Sequence, residues 1–187
     1  MNAANTLKKL GIEKTFEYIY KDPDKNMPKI MDWADKFADG EFPTQREMIR
    51  EAITNPEHPY YDFIRHLIND VDPKVTKTLA VNFFINSALV GWKKEEELRK
   101  KYNCNIPWAI LLDPTSACNL HCTGCWAAEY GHKLNLTYDE IDDIICQGKK
   151  LGVYLYIYTG GEPLVRKKDL IRLCEKHSDC VFLCFTN

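Results

Sequence analysis

The sequence predicts an α/β chain, with an all-helical region over residues 1–103 and, over 104–187, strand–loop–helix units that build a parallel sheet. Three observations carry this. Apolar residues recur at helical spacing through the first hundred positions. After Ile106 the pattern changes to short continuous apolar runs, each ended by a turn signal and followed by a capped helix. Three cysteines, Cys118, Cys122 and Cys125, fall together in the loop after the first of those runs.

Composition narrows the class of protein. A length of 187 residues fits one domain with a helical extension. Hydrophobic residues at 45% can fill a core, and a formal charge of −2 argues against binding nucleic acid through a basic field. No apolar run is long enough to span a bilayer, and Met1–Leu10 lacks the apolar core of a signal peptide, so a cytoplasmic chain without membrane partners is expected. Eight cysteines would suggest disulfides in a secreted chain. Without an export signal, and with three of them clustered, thiolates on a metal in a reducing compartment fit better.

In the helical region, Leu7, Leu10, Phe16 and Ile19 outline a broken amphipathic face with Gly11 as its weak point. Asp22-Pro23 opens a helix carrying Met27, Ile30, Met31, Ala34 and Phe37, closed at Gly40. Thr44 and Glu47 form a capping box ahead of Met48, Ile49 and Ile53. Pro59 suits the first turn of a helix with Phe63, Ile64, Leu67 and Ile68 facing inward. Asp72-Pro73 starts a long helix through Val75, Leu79, Phe83, Phe84 and Leu89 to about Gly91. The charged run Lys93–Lys101 reads as a solvated helix end or linker. Amphipathic periodicity of this kind describes a packing domain. His58 and His66 stand two helical turns apart, with no third ligand converging on them.

In the second half, Trp108–Leu112 reads as a strand buried on both faces and stopped by Asp113-Pro114. Thr137 and Glu140 form a capping box for a helix bearing Ile141, Ile144, Ile145 and Leu151, with Gly152 as its terminating glycine. Val153–Tyr158 is the second strand and ends in Thr159-Gly160-Gly161-Glu162-Pro163. A second helix carries Leu170, Ile171, Leu173 and Cys174, and Cys180–Phe185 is the third strand, ending in Thr186-Asn187. Right-handed crossovers between parallel strands put all three loops on one rim, at the carboxyl ends of the strands.

The rim residues suggest chemistry. Cys118, Cys122 and Cys125 can bind three irons of a [4Fe–4S] cluster, leaving the fourth iron open. The other reading is structural zinc, with His121, His132 or Cys104 as fourth ligand; zinc sites more often use two separated cysteine pairs. Gly160 and Gly161 allow close approach of backbone to a ligand, Glu162 offers a carboxylate to a cationic group, and Pro163 fixes the turn. Cys146, Cys174, Cys180 and Cys184 read as small buried hydrophobes.

Cys-x-x-x-Cys-x-x-Cys after a first strand and Gly-Gly-Glu-Pro after a second resemble the radical S-adenosylmethionine (SAM) superfamily over roughly residues 106–187. The resemblance implies the first three β/α units of a partial (β/α)6 TIM-like barrel. It implies Cys118, Cys122 and Cys125 as ligands of a [4Fe–4S] cluster, and Gly160, Gly161 and Glu162 as the loop that meets the SAM amino group. It also implies reductive cleavage of SAM to a 5′-deoxyadenosyl radical, with an electron from a small donor such as ferredoxin or flavodoxin and a substrate that the motifs do not name. Thr186-Asn187 resembles the start of a Thr-Asn-Gly segment. Two departures stand out. Gly124 precedes the third cysteine where an aromatic is usual, which leaves Trp126 or Tyr130 for the adenine. Three strands are present where the family has six, so the expectation is a fragment of a longer protein, or a chain completed by another that supplies the missing half barrel. An inactive fragment and a non-catalytic iron–sulfur or zinc-binding module are the competing expectations.

Overall fold

The computed structural model describes residues 11, 14–37, 42–125, 127–131 and 133–187. Two compact units divide between Val81 and Asn82. The boundary at 103/104 read from the sequence separates motif content, whereas this division follows packing. Leu7, Leu10, Gly40, Trp126 and His132 lie outside the described residues.

The first unit is helical. Residues 14–21 form a helix, followed by α1 (Pro23–Phe37), α2 (Pro43–Thr54), α3 (Tyr61–Asn69) and α4 (Pro73–Ala80). Met27, Met31 and Ala52 are buried, and ion pairs tie α1 to α2, Arg46 to Asp35 at 2.6 Å and Arg50 to Asp32 at 2.8 Å. Asp72 caps α4 as the sequence predicts, accepting the Lys74 N–H at 2.7 Å. Thr44 does not cap α2. Pro43 supplies the fixed φ of a first helical residue, so the helix starts two positions earlier than a Thr44 cap would set it, from a left-handed Phe42. Likewise α3 starts at Tyr61, after Pro59. Phe63, Val75 and Leu79 face solvent, against the inward placement expected of Phe63.

The second unit begins inside what the sequence presents as one helix. Val81–Gly91 winds as a π-helix and runs on into α5 (Trp92–Tyr102), so the helix does not end at Gly91. Carboxamides explain where this stretch sits. Asn82 Nδ2 donates to the Ser178 and Cys180 carbonyls at 2.9 Å each, and Asn86 Nδ2 donates to the Asp179 carbonyl at 2.8 Å. Phe83, Phe84 and Leu89 are exposed. The run Lys93–Lys101 is a packed helix with Glu95 buried, not a linker.

Strands β1 (Ala109–Leu112), β2 (Leu155–Tyr158) and β3 (Val181–Cys184) form a parallel sheet in the order β1-β2-β3. Ala109 stands opposite Leu155, which stands opposite Val181. A short helix α6 (Ala127–Tyr130) lies in the first crossover. Helix α7 (Tyr138–Leu151) carries both halves of the Thr137–Glu140 capping box and stops at left-handed Gly152. A 3-10 turn (Pro163–Arg166) leads into α8 (Lys167–Lys176). Ile141 and Ile145 of α7, Leu173 of α8, and Tyr156 and Val153 are fully enclosed and form the core against one sheet face. The other face is open. Leu111 and Leu183 are exposed there, so β1 and β3 are not buried on both faces, and Cys184 is exposed although Cys180 is buried. The order of elements makes the unit α/β with three parallel strands. No described helix is long and apolar enough to cross a membrane.

Candidate functional site

Two loops meet at the carboxyl ends of β1 and β2, and backbone hydrogen bonds join them. The Thr159 N–H donates to the Leu112 carbonyl at 2.8 Å, the Gly161 N–H to Thr115 at 3.0 Å, and the Glu162 N–H to Ala117 at 2.7 Å. Together these continue the β1–β2 pairing beyond the strands, into the stem of the cysteine loop. The glycines are needed for this contact. A Cβ on Gly161 would lie 2.2 Å from the Ala117 carbonyl oxygen, and one on Gly160, at φ 101°, would lie 2.9 Å from the Thr115 carbonyl oxygen. In the structure, the backbone that these glycines let approach closely is that of the cysteine loop.

The far side of the stem is fixed by short polar side chains. Ser116 donates its backbone N–H to the Leu134 carbonyl at 2.8 Å, and its hydroxyl accepts the Leu134 N–H at 3.1 Å. The Thr115 hydroxyl donates to Asn135 Oδ1 at 2.5 Å and accepts the Ala117 N–H at 3.0 Å. Thr115 and Ser116 are buried, and each of these bonds satisfies a polar group that burial would otherwise leave costly. Beyond the stem the loop opens. Cys118 and Cys125 are partly exposed, Cys122 is exposed, and all three are free thiols. The Cys125 N–H donates to the Cys122 carbonyl at 3.1 Å, a turn that left-handed Gly124 makes possible.

Among the described residues, the three-residue donor set whose ligand atoms all lie within 4.8 Å of one another is Asp142, Cys146 and His177, not the loop thiols. A donor set of three free, solvent-reachable thiols on one loop fits a multi-iron cluster, whose irons each take their own thiolate. Cys104 and His121, the alternative zinc ligands, are both exposed. Tyr130 is exposed as well.

Glu162 is the buried charge of the site, 7% exposed. Its Oε1 accepts from the Leu164 N–H at 2.9 Å and the Thr186 hydroxyl at 2.8 Å. Its Oε2 accepts from the Asn187 N–H at 3.1 Å and Asn187 Nδ2 at 2.7 Å. Burial pushes its pKa up, but the Leu164 N–H, the Thr186 hydroxyl and the Asn187 N–H outweigh that and hold the carboxyl below its ordinary range. Glu162 therefore stays ionised and spends its lone pairs on protein donors. Asn187 reaches further, exchanging amide contacts of 3.2 Å with Asn119 in the cysteine loop. Thus Thr186-Asn187, Glu162 and the cysteine loop form one hydrogen-bonded rim. Thr115, Ser116, Asn119 and Asn135 gave no signal in the sequence beyond being polar residues in loops.

The fold and rim define a class of module, a parallel β/α unit presenting a Cys-x-x-x-Cys-x-x-Cys loop beside a Gly-Gly-Glu-Pro loop. No family model and no solved structure matches the chain. Curated relatives match over part of it. The chain is 48% identical over 61 residues to a GTP 3′,8-cyclase of Alkaliphilus oremlandii, covering 30% of this chain and 19% of that protein. It is 30% identical over 95 residues to a GTP 3′,8-cyclase of Clostridium perfringens, covering 48% and 29%. It is 37% identical over 76 residues to a PqqA peptide cyclase of Bradyrhizobium diazoefficiens, covering 40% and 20%. In each case the match spans less than a third of the relative's own length. These similarities are weak and partial, to proteins that are cyclases by name, and they support a distant radical SAM relationship over part of the chain.

Proposed function

We propose that the chain carries a [4Fe–4S] cluster on Cys118, Cys122 and Cys125 and uses it, with SAM, to start radical chemistry. Cys118, Cys122 and Cys125 would hold the cluster, and when bound it would supply the reducing electron for cleaving SAM to methionine and a 5′-deoxyadenosyl radical. The observation that carries this reading is the single hydrogen-bonded rim, in which three free thiols share a loop stem with Gly160, Gly161 and Glu162. The chain's own residues have separable tasks. Thr115 and Ser116 fix the stem, so the thiols start from a rigid base. Gly160 and Gly161 bring the second loop against that stem. Glu162 keeps a negative charge on the rim, and with Asn187 orients Asn119 beside Cys118. The Gly160–Glu162 segment would meet the SAM ammonium, beside a carboxylate already occupied by protein donors.

A small electron donor such as ferredoxin or flavodoxin supplies the reducing electron at the exposed Cys122 side. The sheet forms the first part of a partial (β/α)6 barrel, and further strands cover the open face bearing Leu111 and Leu183. The named relatives act on different molecules by their names, GTP in one case and a peptide in the other. The reading therefore stops at radical initiation. Anaerobic reconstitution with iron and sulfide tests it. The expected result is a brown protein whose reduced electron paramagnetic spectrum changes on addition of SAM, with cluster uptake abolished in Cys122→Ala. A spectrum unmoved by SAM, or a cluster retained by Cys122→Ala, defeats the assignment.

A further inference from the structure

Helices α7 and α8 cover the sheet, and where they touch, a second donor set converges that the rim does not use. Asp142 and Cys146 lie one turn apart on α7, so their side chains project from the same face. His177 terminates α8, with its N–H on the Leu173 carbonyl and its own carbonyl accepting the Cys180 N–H at 2.9 Å. That backbone anchoring holds an imidazole only 3% exposed, with Nε2 at 2.8 Å from Asp142 Oδ1. The Asp142 carboxylate oxygen, Cys146 Sγ and a His177 ring nitrogen all lie within 4.8 Å of one another.

We propose that Asp142, Cys146 and His177 form a second metal site, separate from the cysteine loop, that takes a borderline-soft divalent cation of the zinc type. The donor chemistry selects the ion. One oxygen, one sulfur and one imidazole nitrogen suit zinc, while calcium and magnesium want oxygen alone. Metal–ligand arms of about 2.0–2.3 Å at tetrahedral angles put ligand atoms about 3.3–3.7 Å apart, and the present separations, all within 4.8 Å, are of that order. Lys176 is the competing cation. Its ammonium lies 2.8 Å from Asp142 Oδ2, while Oδ1 faces His177 Nε2 at 2.8 Å, so an entering metal replaces the direct Asp142–His177 hydrogen bond with one bond to each partner. Pairing with Lys176 foremost holds Asp142 below the ordinary carboxylate range, against its burial, so a ligand-ready carboxylate is present.

Binding is a coordination step with simple proton bookkeeping. The Cys146 thiol loses its proton to solvent, and the proton on His177 Nε2 that faces Asp142 Oδ1 leaves to solvent while Nδ1 carries the ring's one remaining proton, which frees the Nε2 lone pair for the metal. The fourth position is left to water. The bound ion clamps α7 to α8 across the outside of the sheet.

The test uses the full chain with Cys118, Cys122 and Cys125 replaced by serine, so that no loop thiol competes and failure of the rim reading has no bearing on the result. Cobalt(II) is titrated as the probe. The expected result is the intense visible absorption of tetrahedral cobalt with a near-ultraviolet thiolate band, saturating at one ion per chain and erased by added zinc. Cys146→Ser should remove the thiolate band. His177→Gln should weaken binding by more than the about 10–100-fold that follows loss of an outer-shell partner. Cys174→Ser, outside the set, should leave the titration unchanged. A weak octahedral cobalt spectrum, or a thiolate band that survives Cys146→Ser, overturns the proposal. Should the loop-substituted chain lose its circular dichroism, zinc bound per cluster-loaded native chain is compared with that of Cys146→Ser. A difference of one ion supports the site, and no difference overturns it.

Discussion

Among the described residues of the second unit, two carboxylates are buried, at opposite ends of the sheet, and they are treated in opposite ways. At the rim, Glu162 is 7% exposed and receives four donors. At the other end, Glu95 of α5 is 1% exposed, and its one ion-pair partner is Arg99, at 3.1 Å. Burial pushes Glu95 up to about 7 against the opposing pull of Arg99, whereas Glu162 is held low. The difference teaches that burial alone does not decide whether a carboxylate is charged. The number of donors aimed at it does. Of these two carboxylates, the rim one is the one held toward its anionic form.

The sharpest way to break this contrast is Glu162→Ala. It strands the Leu164 and Asn187 N–H groups, the Asn187 amide and the Thr186 hydroxyl, and it should cost about 3–5 kcal/mol, read by urea unfolding. Asn119 should also lose its partner, so cluster uptake should fall with stability. An uptake equal to wild type would show that Asn187 does not order the cysteine loop.

Glu95→Gln probes the other end by its pH dependence. The folded pKa of Glu95 lies above its unfolded value near 4.5, so its contribution is full below about 4.5 and is lost as pH rises through about 7. The variant mimics the protonated acid. It should match wild type at the acid end of that window and become the more stable of the two above it, in denaturant series at several pH values. Glu162 runs the other way, its contribution being present above the ordinary carboxylate range and lost as pH falls. If both glutamates gave the same slope, the donor-count argument would fail.

The smallest effect comes from two tyrosines of β2. Tyr156 Oη lies 3.1 Å from both the Ile145 and Val153 carbonyls, while buried Tyr158 Oη has no hydrogen-bond partner among the described residues. Tyr156→Phe should cost about 1 kcal/mol, and Tyr158→Phe should be neutral or slightly stabilising in thermal unfolding. A loss at Tyr158 equal to that at Tyr156 would point to a bound partner for its hydroxyl.

How much of this was legible in the sequence varies along the chain. The three-strand β/α order, the Thr137–Glu140 capping box and terminal Gly152 were readable because each rests on local chemistry. The rim location of the cysteine and Gly-Gly-Glu-Pro loops followed from parallel topology alone. Phe63 misled, because periodicity reports which residues share a helix face and not whether that face is covered. Thr44 misled because a neighbouring proline sets the helix start more firmly than a hydroxyl does. The π-helix at Val81–Gly91 was invisible, since carboxamide contacts from Asn82 and Asn86 to residues nearly a hundred positions away have no local signature. The occupied state of Glu162 was hidden for the same reason: its partners come from another strand.

Gly91 and Gly152 carry a last consequence. A Cβ on Gly91 would sit 2.3 Å from the Gly152 carbonyl oxygen, and a Cβ on Gly152 would sit 2.7 Å from the Gly91 carbonyl oxygen. Two chain segments sixty positions apart thus touch through bare main chain, each closing off the other's freedom to vary. Enlarging one glycine cannot be rescued by shrinking its neighbour, since neither has a side chain left to give up. Sequence drift at this crossing has no compensated path, and α5 and α7 must diverge around a pair of positions that change together only by moving the backbone itself.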